Sequence, residues 1–159
     1  MNSQGTCCDN LFFGFTFQDI RAATPPERKG VYIIRVKQRG KPVAEIVQQV
    51  GKVIQHLGWP IVGNKMLNRI KRLERIGSCP VIYIGSAGTR RGSKHTLKGR
   101  YSDFAGRHTA MYPLWVLLYF DWNLEYGWME EENSASLEES LKHRYRQSHR
   151  GKLPALVYR

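Results

Sequence analysis

"VIYIGSAG", residues 81–88, is a short apolar run rich in β-branched residues that stops at a glycine turn. Such a run reads as a buried strand. Tyr83 in its middle either packs or aims its phenol into a site. A partner run lies upstream, where "GVYIIRV" (30–36) follows the loop "TPPERKG" and leaves through the turn "KQRGKP". Here too a tyrosine stands beside a glycine: Tyr32 two residues after Gly30, Tyr83 two residues before Gly85.

Between these strands the period changes. From Val43 to Leu57 the apolar residues fall at 43, 46, 47, 50, 53, 54 and 57, which is helical spacing ended by "GWP". A second helix is expected over roughly 64–76, with Met66, Ile70 and Leu73 on one side and Gly77 closing it. Lys65, Arg69, Lys71, Arg72 and Arg75 cover much of the rest. After the basic loop "SAGTRRGSKH", Thr96 is placed to cap a helix carrying Leu97, Tyr101, Phe104 and His108 on one face. "PLWVLLYFDW" (113–122) reads as a third, fully buried strand and "MEEENSAS" as a loop. Ser136 to Glu139 has the form of a capping box opening a last helix, which buries Leu137, Leu141 and Tyr145. Leu11, Phe12, Phe13, Phe15 and Phe17 are placed to dock an early strand or loop onto the core.

The expected fold is α/β, with a small central three-stranded sheet flanked by helices. A two-helix, basic insertion (37–79) separates the first two core strands, and one domain spans 1–159.

Composition narrows the function classes. A hydrophobic fraction of 42% is globular, and the longest apolar run, Leu114 to Phe120, is too short to cross a bilayer. The N-terminus lacks the pattern of a secretory signal. Three cysteines, two of them adjacent, suggest reduced thiols and a cytoplasmic or nucleoid-associated protein. A net charge of +12 points to a polyanionic partner, nucleic acid before anionic membrane. The chain has no P-loop and no dinucleotide fingerprint, and no C-x-x-C accompanies His143 and His149 to make a zinc pattern.

What remains is a constellation: the "GVY" and "YIG" strands, "LKGR" (97–100) on a helix, and a helical glutamate in "ASLEESLK" (135–142). From Gly30 to about Lys142 this resembles the GIY-YIG nuclease superfamily. The resemblance implies a DNA endonuclease that uses one Mg²⁺ or Mn²⁺ per site, restriction-like or structure-specific. Tyr32 and Tyr83 would line the site from neighbouring strands, Tyr32 as general base and Tyr83 as hydrogen-bonding support. Arg100 would contact the scissile phosphate, offering a fixed fork of donors. Glu138 would hold the metal, while Glu139 fits the capping box.

Many members carry a histidine or tyrosine four residues after the arginine. Phe104 stands there, leaving His108, Tyr101, Lys94 or His95 as substitutes. Tyrosine is a weak base at a reference pKa of about 10, so either nearby cations favour the phenolate, as the basic loop with Arg90, Arg91, Lys94, His95 and Lys98 could, or the proton passes through metal-bound water. The expected DNA contacts are Lys65, Arg69, Lys71, Arg72, Arg75, Arg90, Arg91, Lys94 and Lys98. Cutting both strands of a palindrome would call for a homodimer. The rival reading is a non-catalytic, basic nucleic-acid-binding protein that retains the nuclease fold.

Overall fold

The computed structural model describes residues 8–75, 77, 79–88 and 95–157. Among these residues are four strands, β1 (Thr16–Asp19), β2 (Gly30–Gln38), β3 (Val81–Ala87) and β4 (Asn123–Glu130). Five α-helices accompany them: α1 (Val43–Leu57), α2 (Pro60–Lys71), α3 (Leu97–Ala105), α4 (Tyr112–Tyr119) and α5 (Ser134–Ser148). The strands form one antiparallel sheet in the order β1-β4-β2-β3. The mixed α/β class holds, but the sheet has four strands, not three. No helix among the described residues is long and apolar enough to cross a membrane.

Two strand assignments change. The run 113–122, expected as the third strand, is mostly the buried helix α4. Uninterrupted apolar residues carry no period, so pattern alone cannot separate a buried strand from a buried helix. Pro113, in the first turn of α4, suits a helix start. The unexpected inner strand is β4, where Leu124 and Tyr126 are buried on one face and Gly127 turns to the other. The extra edge strand, β1, comes from the phenylalanine-rich N-terminal segment and pairs Phe17 with Gly127.

Helix boundaries shift more modestly. α1 spans the expected residues and ends at Gly58 in the left-handed region, φ +69°. Pro60 then opens α2 four residues before the expected start, because proline at the first helical position loses no hydrogen bond. α2 runs into a 3-10 turn at Arg72–Glu74 rather than continuing to residue 76. α3 is capped as expected, Thr96 Oγ1 accepting from the Gly99 amide at 3.1 Å. It stops at Ala105, so His108 does not share its face and is exposed instead. α5 begins at Ser134, two residues before the supposed capping box, and Ser134 Oγ donates to the Ala87 carbonyl at 3.0 Å.

Each face of the sheet has its own core. On one, Tyr32, Ile34, Leu124 and Tyr126 pack under Leu97 and Phe104 of α3, Leu114 and Leu117 of α4, and the inserted helices. On the other, Val31, Ile33, Val81 and Ile84 pack against Leu141 and Tyr145 of α5, with Cys8, Leu11 and Cys79.

Candidate active site

Tyr32 lies at the centre of the sheet, directly opposite Gly85 on β3 and Trp128 on β4. The glycine is a steric requirement: a Cβ at Gly85 would stand 2.6 Å from the Tyr32 hydroxyl and 2.8 Å from the Tyr83 ring. Gly30 answers to a similar demand, since a Cβ there would meet the Met129 carbonyl oxygen at 2.2 Å. Tyr32 therefore fits into a layer of three phenols. Its ring stacks on Tyr83 at 5.7 Å and on Tyr126 at 5.3 Å, nearly parallel to both. Tyr101 of α3 meets Tyr126 edge-on at 5.2 Å, and its hydroxyl donates to the Ile20 carbonyl at 2.6 Å.

Arg100 of α3 faces this layer, and its charge is felt at both Tyr32 and Tyr126. One guanidinium nitrogen lies 3.7 Å from Asp103 Oδ2. The Arg100 Nε and the Tyr126 hydroxyl are buried with no hydrogen-bond partner among the described residues. Burial pushes the Tyr32 phenol well above its ordinary pKa, reinforced by Tyr83 and Tyr126 and only partly offset by Arg100. Tyr126 is raised in the same way, mainly by burial. A phenolate at Tyr32 is therefore disfavoured. Tyr83 is the less buried of the pair.

Glu138 approaches from α5, on the other face of the sheet. It accepts a hydrogen bond from Ser86, the residue after Gly85, and is paired with Lys142 one turn along the helix. Successive residues of a strand point to opposite faces. Glu138 and the tyrosine layer thus meet β3 from its two sides, one residue apart along the strand. The expected site residues fall into two groups: Tyr32, Tyr83 and Arg100 together, Glu138 across the edge strand from them.

The remaining candidates disperse. His108 lines a separate cleft of about 320 Å³ with Lys65, Arg69 and Pro113, none of which belongs to the tyrosine layer. Phe104 is core, stacked on Trp115 at 4.8 Å. Arg69 is buried and donates to the carbonyls of Ala110 and Leu156, while Arg72 donates to that of Val157. Both guanidiniums hold the C-terminal segment; Arg69 is buried and so not open to a phosphate, while Arg72 stays partly exposed. Lys65, Lys71 and Arg75 are exposed, and Lys98 pairs at the surface with Glu27 at 3.2 Å. Arg90, Arg91 and Lys94 lie outside the described residues.

Some contributors escaped the sequence reading. Tyr126 was hidden because β4 was not recognised, although the alternation Leu124, Tyr126, Trp128 was its signal. Ser86 and Lys142 carry no pattern of their own. Arg146 and Lys152 join Arg72 and Arg75 around a cleft of about 420 Å³, a basic surface assembled from distant segments. Comparison of the chain with protein-family models, curated proteins and solved structures returned no match.

Proposed function

We propose that this chain is a Mg²⁺-dependent DNA endonuclease of GIY-YIG type, hydrolysing phosphodiester bonds. The observation that carries the reading is Arg100, with its buried unpartnered Nε, set against the tyrosines of the "GVY" and "YIG" strands. The two tyrosine strands and the helix that carries Arg100 come together there, which supports the reading. A guanidinium with open donor capacity stabilises the charge that develops on a phosphoryl group. Tyr32 keeps its proton and serves as a hydrogen-bond donor. Tyr83, nearer solvent, lines the site beside it. Glu138 and Ser86 offer hard oxygen donors of the kind Mg²⁺ selects. The exposed Lys71 and Arg75, with Arg146 and Lys152, supply the sequence-independent attraction to the backbone.

The non-catalytic binding reading is favoured by one contact, the Lys142 ammonium that occupies Glu138 where a metal would compete. A supercoiled-plasmid assay separates the two. Wild type with Mg²⁺ is expected to nick or linearise the plasmid, and EDTA or Glu138→Ala to abolish cutting while binding stays within a few-fold. A mobility shift without metal-dependent cutting would support binding alone.

A further inference from the structure

The face away from the tyrosines carries a second cluster, built from three distant points of the chain. Cys8 precedes a 3-10 turn at Asp9–Leu11, Cys79 stands two residues before β3, and His149 is the C-cap of α5. Cys8 Sγ lies 3.3 Å from Cys79 Sγ and 4.0 Å from His149 Nε2, and the three donor atoms all fall within 4.8 Å of one another. A tetrahedral zinc centre with Zn–S near 2.3 Å and Zn–N near 2.0–2.1 Å separates its ligand atoms by about 3.5–3.8 Å. The separations of 3.3 and 4.0 Å fall on either side of that range, so small side-chain shifts would seat an ion. A disulfide would need the sulfurs at about 2.05 Å.

The imidazole is oriented by an independent contact. His149 Nδ1 lies 2.7 Å from the Tyr145 carbonyl oxygen, and the ring stacks on Tyr145 at 3.7 Å. A carbonyl can only accept, so Nδ1 carries the hydrogen and the Nε2 lone pair is left toward the sulfurs. Metal-bound histidines are characteristically held this way, the far nitrogen donating to a carbonyl or carboxylate. Both cysteines are buried, at 2% and 3% exposure, beside Leu11, Val81, Leu141 and Tyr145. The set of two sulfurs and one imidazole selects a borderline-soft ion such as Zn²⁺ over Mg²⁺.

We propose that Cys8, Cys79 and His149 bind one Zn²⁺, a further donor completing the tetrahedron. Binding displaces the two thiol protons to solvent and changes no oxidation state. The ion would tie the N-terminal segment and the approach to β3 to the end of α5, fixing the helix that carries Glu138. It is separate from the proposed catalytic cation. His149 follows Glu138 by eleven residues (149 − 138) on and just beyond α5, about 16 Å at 1.5 Å per residue. Neither proposal depends on the other.

The test uses the full chain, purified under reducing conditions. Elemental analysis is expected to find about one zinc per chain. Replacement by Co²⁺ is expected to give a near-ultraviolet thiolate-to-cobalt charge-transfer band. Cys79→Ser should weaken that band, since one of the two thiolates is lost. His149→Gln, at a half-buried position that tolerates change, should weaken Co²⁺ binding at least about tenfold. A strong chelator should lower the wild-type Tm and leave that of His149→Gln unmoved. Absence of both zinc and the cobalt band would overturn the site, as would a mapped Cys8–Cys79 disulfide. Unchanged Co²⁺ affinity in His149→Gln would overturn the histidine's part in it.

Discussion

Two glycines of the sheet each lie beneath an aromatic ring from the neighbouring strand, on opposite faces. Gly85 is directly opposite Tyr32, and Gly127 directly opposite Phe17. An added Cβ would stand 2.6 Å from the Tyr32 hydroxyl in one case and 2.3 Å from the Phe17 ring in the other. The packing device is the same; the surroundings differ. Around Phe17 the charges are answered: the Arg35 guanidinium stacks on the ring at 3.5 Å and pairs with Glu125 at 3.2 Å. Around Tyr32 a hydroxyl is brought into the core beside Arg100, whose Nε and the Tyr126 hydroxyl have no partner among the described residues. Satisfied polar groups build architecture. Unsatisfied ones in a buried cluster cost stability and persist where a ligand repays the cost.

The contrast can be broken by experiment. On the proposed nuclease reading the largest effect is expected from Arg100→Ala, which should lower the cleavage rate about 10²–10³-fold, as removal of a transition-state donor typically does. Single-turnover kinetics should place the loss in the chemical step. An equal loss from Arg35→Ala would erase the distinction between the two faces. Next come the glycines. Gly85→Ala should cost about 1–3 kcal/mol through overpacking, because Tyr32 is buried and cannot withdraw. Gly127→Ala should cost less, since the half-buried Phe17 can swing outward. Thermal melts at about 2–4 °C per kcal/mol resolve the order; the reverse order would show that Tyr32 has room to move.

The smallest effect concerns alkaline pH. The folded pKa of Tyr32 is raised, so the unfolded chain deprotonates first. This contribution to stability is complete below about pH 10 and is lost as pH rises from there toward the folded value. Tyr32→Phe should flatten that part of the alkaline limb in denaturant titrations. An unchanged limb would mean that Tyr32 is not the group responsible.

Much of the first strand pair was legible because its signals are local. β-branched residues, a glycine two positions from a tyrosine, and the capping threonine of α3 each act within one turn or one cross-strand pair. The helical spacing of α1 was equally readable. Failure came at 113–122, where an apolar run without period left helix and strand indistinguishable, and that error concealed β4 and with it Tyr126. Arg69 shows the opposite limit. Its pattern suggested a basic face, and only the fold brought the carbonyls of Ala110 and Leu156 to its guanidinium.

The sequence by itself determined the chemistry available: a strongly basic chain, tyrosines paired with glycines on two strands, an arginine on the helix that follows, a late helical glutamate. Those are properties of residue type and short-range spacing. The tertiary structure decided which of these groups meet. Sheet order placed a third tyrosine beside the first two, strand alternation sent Glu138 to the far side of β3, and packing brought Cys8 to His149, 141 residues away. Contacts of that kind arise from packing both faces of one sheet, and no local pattern encodes them.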